Sequence, residues 1–358
     1  MQKLLIFGAL FLSVNVATFA QTAKYSNEFL SIGVGAKSLA MANSTVAHVG
    51  DVTSGYWNPS GMLNVEKDFE VGAMHAEYFA GVAKYDYLGG VMAIDTNQRI
   101  GASLIRFGVD NIPNTTELID NEGNIDYDRI SYFTAADYAF LISYAKKTAI
   151  DGLRIGGNAK VIYRNVGEFA NAYGFGFDLS AQYHKNKWSF GAVLRDVTTT
   201  FNAWTYNDDE LEIEVQDSLF NQAPDNNIEL TLPKILLGAA RHFHIYKDFY
   251  GLVEVDADIF TDGMRHSLIS SDIFSIDPHI GMQFRYRKLA YLRVGVGNFQ
   301  MIENIDRNEE LSFQPNLGVG LHYKGFSVDY ALTDIGDQSV ALYSNIFTLR
   351  YAFSAGNR

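Results

Sequence analysis

The chain of 358 residues has no cysteine, which excludes a disulfide framework and lipid attachment at a cysteine. Proline is scarce at 6 residues, and charged residues make up only 19%. Lys and Arg number 28 against 41 Asp and Glu, a formal charge of −13. That balance argues against nucleic acid as a partner, because phosphates are held by clustered Lys and Arg. After the N-terminal leader, no apolar run approaches the ~20 residues of a spanning helix. Catalytic signatures are missing as well: there is no Ser-centred elbow, no His-Glu-x-x-His and no Gly-rich phosphate loop. No enzyme activity and no cofactor are expected. His242 and His244 share a strand face, but without a third ligand nearby in sequence no metal site is expected.

What the chain does have is Gly, at 31 residues, and aromatics, at 14%. Its mean hydropathy is near zero, which fits neither disorder nor a bundle of membrane helices. The N-terminus reads as an export signal. Lys3 precedes an apolar stretch from Leu4 to Val16, and Thr18-Phe19-Ala20 sets a cleavage site before Gln21. Residues 1–20 are therefore left out of the fold, and any insertion into a membrane must come from strands.

From residue 68 onward the pattern has a period of two. In "YGFGFDLSAQY" (173–183), Tyr173, Phe175, Phe177 and Leu179 alternate with Gly174, Gly176, Asp178 and Ser180. About fourteen such runs occur between 68–78 and 343–353, many near the ~9–11 residues that cross a bilayer as a tilted strand. Tight connections such as "DTNQ", "KNK" and "KG" fall at every second junction. The other junctions include the long stretches 110–130, 201–230, 262–277 and 300–312. Short turns on one side and long loops on the other describe an up-and-down outer-membrane barrel with periplasmic turns. An even strand count puts both termini in the periplasm. The expected fold is all-β, an antiparallel transmembrane barrel over 68–353, a plug over 21–67 and a tail at 354–358. Outer-membrane lipid meets the apolar face.

The polar face then lines the lumen. Glu254, Asp256 and Asp258 are expected to point inward opposite Arg285 and Arg287, so that acids and bases pair, since an isolated buried charge is costly. Before the first strand, "DVTSGYWNPSGML" (51–63) reads as the end of a stiff plug. Trp57 supplies bulk, Pro59 holds Asn58 extended, Asn58 offers amide hydrogen bonds, and Gly61 permits a tight turn.

The segment "KYSNEFLSIGVGAKSLAMANSTVAHVGDVTSGYWNPSGM" (24–62) resembles the N-terminal signature of the PorV/PorQ family of outer-membrane proteins, within the broader FadL-like barrels. Relatives often read Asn-Pro-Ala-Gly where this chain has Ser60. The resemblance implies a fourteen-stranded FadL-like barrel with an N-terminal plug. It also implies a non-enzymatic role in type IX secretion, binding the translocon or the C-terminal domains of secreted cargo through the outer loops, Trp204 included. The alternative is a FadL-like channel for hydrophobic small molecules.

Overall fold

The computed structural model describes residues 26–118, 124–211, 213–215, 218–220, 224, 227–303, 309–333, 335 and 343–354. The expected signal peptide, plug residues 21–25 and tail residues 355–358 lie outside these.

Fourteen antiparallel strands close into one barrel. They are β1 (Phe69–Tyr78), β2 (Ala83–Ala93), β3 (Gln98–Asn114), β4 (Ser131–Lys147), β5 (Leu153–Val166) and β6 (Ala170–Lys185). Next come β7, in two pieces (Trp188–Arg195 and Thr200–Tyr206), and β8, also in two (Ile228–Thr231 and Lys234–Tyr246). The circuit continues with β9 (Phe249–Phe260), β10 (Ser275–Tyr286), β11 (Ala290–Glu303), β12 (Glu309–Tyr323), β13 (Phe326–Thr333) and β14 (Ser344–Phe353). β1 pairs with β14 from Phe69↔Phe353 to Glu77↔Asn345, so the first and last strands close the barrel on each other. Closure satisfies the backbone within the barrel, which hydrocarbon demands. No helix among the described residues is long and apolar enough to cross a membrane.

Alternation explains most of the wall. On β6, Tyr173 and Leu179 are exposed on the outside, while Asp178, Ser180 and Gln182 are buried within. β2 reverses the rule. Tyr85 and Tyr87 turn inward and are buried, and Lys84 and Asp86 take the outer face. The reason lies inside: the plug presents Val52, Tyr56 and Trp57 to this side, and the wall answers with Met74, Tyr85, Ile105, Leu141 and Ile162 in one apolar cluster. The displaced charges pair among themselves on the exterior, Asp86 with His75 at 2.7 Å and with Arg106 at 3.6 Å.

The strands also outrun the bilayer. β3 and β4 each have 17 residues, so the loop expected at 110–130 begins only after Asn114. The stretches expected as loops at 201–230 and 300–312 are likewise shortened, by strand residues 201–206, 228–230, 300–303 and 309–312. Trp204 is thereby moved from a loop into β7. Its indole N–H donates to Glu229 at 2.8 Å and its ring stacks with Arg164 at 5.1 Å.

One break in the wall went unforeseen. β7 stops at Arg195 and resumes at Thr200, and its neighbour β8 stops at Thr231 and resumes at Lys234. Arg195 pairs with Lys234 and Thr200 with Thr231, so four residues on one strand face two on the other. Pro233 has no N–H to give the ladder, which places the fault here.

Candidate functional site: the plug and the lumen

Residues 26–67 fill the barrel with short helical turns, Glu28–Leu30, Ala36–Leu39, Ser54–Trp57 and Pro59–Asn64. Asn58 has φ −157° and ψ 99°, the extended backbone a following proline requires. Its amide donates to Val46 O at 2.9 Å and to Ala181 O on β6 at 3.2 Å. Its oxygen accepts from the backbone N–H of Ser60 at 3.2 Å and from the Ser60 hydroxyl at 2.6 Å. The whole side chain is thus satisfied while buried, joining two plug segments to the wall. Trp57 donates to Val34 O at 2.8 Å and meets Tyr56 edge to face at 4.8 Å. Gly61 is needed for room more than for a turn: a Cβ there would lie 2.5 Å from Val49 O.

The expected opposition of acids and arginines is not what the register gives. Glu254 faces Gly281, Asp256 faces His279 and Asp258 faces Asp277. The carboxylates instead hold the plug. Asp256 accepts from the backbone N–H groups of Thr45 at 2.8 Å and Val46 at 2.9 Å, and Glu254 accepts from Ala47 at 2.7 Å. His48 Nδ1 completes the row against Glu254. Asp258 pairs with Lys234 at 2.7 Å. A strand's inward carboxylates, spaced by two, match successive N–H groups of a tight turn, and that match could not be read from the wall alone. Arg287 is not in the lumen. It sits in a turn at φ 54°, exposed, and pairs with Asp248. Arg285 does point inward, stacked on Tyr250 at 4.6 Å.

Two further networks tie plug to wall. Arg350 on β14 reaches Asp329 at 3.0 Å, Glu70 at 3.2 Å and the plug's Asp51 at 3.4 Å. Burial alone would raise the Asp51 carboxyl, but Lys37 and Arg350 outweigh it and hold that group well below the usual range. On the other side, Arg195 lies over Tyr56 at 4.5 Å and donates to Tyr56 O at 3.0 Å. Beneath it, Lys160 bridges Asp178 at 2.8 Å and Asp196 at 2.6 Å. Neither Arg350 nor Lys160 stood out in sequence, since each is one polar residue in an alternating strand.

Among the described residues, space remains at several places, three of which bear on the plug and its two ends. An outer vestibule of about 600 Å³ opens above the plug. It shares Glu28, Ser31, Lys234, Phe260 and Arg265 with a small pocket of about 50 Å³ that lies against the break in β7 and β8. A third cavity, about 370 Å³, lies at the short-turn end. His242 is near Ser189 at 3.4 Å and His244 contacts the Lys247 carbonyl. Among the described residues no group of three or more His, Cys, Asp or Glu could hold a metal.

A plugged, closed barrel of fourteen strands can be compared with solved proteins. The toluene transporter TodX of Pseudomonas putida superposes with a TM-score of 0.56 at 13% identity, over 89% of this chain and 96% of that one. The fold is shared. The toluene transporter TbuX of Ralstonia pickettii gives 0.55 at 12% identity, covering 90% and 98%, and the monoaromatic hydrocarbon channel CymD gives 0.55 at 11%, covering 91% and 99%. At such identities the likeness extends to architecture alone. What the chain shares with them is a closed barrel of fourteen antiparallel strands with an N-terminal segment inside it, and those neighbours are channels and transporters. By sequence, the chain matches no family model and no curated protein.

Proposed function

We propose that the chain is a plugged outer-membrane channel for hydrophobic small molecules. The observation that carries this reading is the pocket where two adjacent wall strands are broken at one level, reached from the outer vestibule past plug residues 26–31. Its neighbours in fold, a toluene transporter and a monoaromatic hydrocarbon channel, support the same substrate class. At about 50 Å³ the pocket is smaller than the ~150 Å³ apolar cavity known to take benzene, so passage requires the 26–31 segment to shift. The test is toluene uptake by cells whose outer membrane lacks other hydrocarbon channels. Removing Val197 and Thr198 and changing Pro233→Thr makes the two strands equal in length and restores a ladder donor. Uptake is expected to fall at least tenfold in this variant, with the barrel still folded. Uptake by the native chain no greater than by cells without it defeats the proposal.

A second reading is an interaction barrel of the type IX machinery, binding the translocon or cargo C-terminal domains. It rests on the resemblance over 24–62 and on the charged row His75, Asp86 and Arg106 on the outer wall, where lipid-facing charge is costly toward the midplane. Native co-purification tests it: translocon subunits recovered with the native chain and lost with Asp86→Leu/Arg106→Leu favour it, and their absence in both removes it.

A further inference from the structure

The short-turn mouth of the barrel departs from the charge of the whole chain. Seven Lys and Arg side chains line its cavity of about 370 Å³, against three carboxylates, in a protein of net charge −13. A quarter of all its Lys and Arg therefore converge on one chamber. The volume is within the range of small-molecule sites.

Most of these cations are already engaged. Arg350 and Lys37 hold Asp51, and Lys288 pairs with Glu66. Two donors are not. Arg293 is fully buried; its Nε donates to Gln283 at 2.8 Å and one terminal nitrogen to Asp329 at 2.7 Å, but the second, Nη2, is buried with no hydrogen-bond partner. Arg285 Nε is likewise buried and unpartnered. Both side chains line the chamber.

Register brings the two guanidinium groups together. Gln283 pairs with Arg293, and Arg285 pairs with Tyr291, so the arginines sit one diagonal step apart on the inner face of β10 and β11. Two cations at that spacing repel, and each leaves an N–H unsatisfied, a combination that is stabilised when an anion lies between them. Tyr291, stacked under Arg293 at 4.9 Å, gives that position an aromatic wall.

We infer that Arg293 and Arg285 form an oxyanion site in the periplasmic mouth, and that its ligand is a small organic carboxylate. Two free N–H donors match the two oxygens of one carboxylate. A single charge suits a chamber that also contains Asp51, Glu66 and Glu70 better than a phosphate dianion does. The site does not depend on passage of hydrocarbons through the barrel, because binding at this mouth and uptake across the wall are read separately.

Calorimetric titration of the purified full-length barrel in detergent tests the assignment, with benzoate, benzyl alcohol and inorganic phosphate as probes. Benzoate is expected to bind saturably, and benzyl alcohol, similar in size but uncharged, at least tenfold more weakly. Arg285→Gln, which breaks no ion pair of the wall, is expected to weaken benzoate at least tenfold (~1.4 kcal/mol) while the barrel keeps its melting temperature. Arg293→Gln is expected to do the same where it folds. Equal binding of benzoate and benzyl alcohol, no binding of benzoate, or unchanged affinity in Arg285→Gln each overturns the site. Phosphate binding more tightly than benzoate overturns the carboxylate assignment.

Discussion

Replacing Arg350 with methionine is expected to destabilise the folded barrel by about 3–5 kcal/mol, the usual cost of removing one partner from a buried ion network. Arg350 is the one cation shared by the plug carboxylate Asp51, by Glu70 on β1 and by Asp329 on β13. Without it, Asp329 retains Arg293 at 2.7 Å and Asp51 retains Lys37 at 3.1 Å, but Glu70 loses its charged partner and keeps only the Val52 N–H at 3.1 Å. The network joins three elements distant in sequence, so its loss is expected to lower the temperature at which the barrel loses its compact mobility on detergent gels, and to expose the plug to protease. Arg350→Lys keeps the charge without the forked geometry and should fall between the two. Acid does not mimic the change. The folded Asp51 carboxyl lies below its unfolded value, so its contribution is complete above the ordinary carboxylate range and is lost progressively as pH falls from there through that depressed value. A methionine variant that melts with the native barrel at pH 7 contradicts this account.

Much of the architecture was legible because lipid enforces a simple code. Strands such as β6 alternate over most of their length, and the tight turns at every second junction separate a short-turn end of the barrel from a long-loop end. The code fails where the inside of the barrel is not water. Tyr85 and Tyr87 point inward because an apolar plug meets them there, and nothing in "AKYDYLGGVMA" tells which of its two faces will be dry. The lumen charges were legible in kind and not in partnership. Glu254 and Asp256 face inward, yet their partners are backbone N–H groups some two hundred residues earlier, which carry no side-chain signature. Arg287 was misplaced because strand alternation was carried one residue too far, into a turn. The break at 196–199 and 232–233 had one visible sign, Pro233, in a run that otherwise reads as a single strand.

The acid row that grips residues 45–48 is expected to govern how firmly the plug is held. Asp256→Ala leaves two backbone N–H groups, those of Thr45 and Val46, without an acceptor in a buried setting, at about 1–3 kcal/mol each. The barrel wall does not need Asp256 for its ladder, so the loss should fall on the plug. The chain lacks cysteine, so Ser44→Cys, nearly isosteric at a fully buried position, reports plug opening by its rate of maleimide labelling, normalised to that of Thr96→Cys at an exposed turn. Labelling is expected to rise at least tenfold with Asp256→Ala. Protons should act on the same row. Burial, and then the charge of Lys37, push His48 well below its ordinary value, so it is neutral at pH 7 with Nδ1 toward Glu254 and Nε2 buried without a partner. A histidine whose folded pKa lies below its unfolded one stabilises fully above about pH 6.5, and that stability is lost as pH falls toward the folded value. Normalised labelling of the Ser44→Cys thiol should therefore climb below pH 6 when His48 is intact and climb less when His48→Gln is added. Labelling that is indifferent both to Asp256→Ala and to acid would mean that residues 45–48 are held by packing alone.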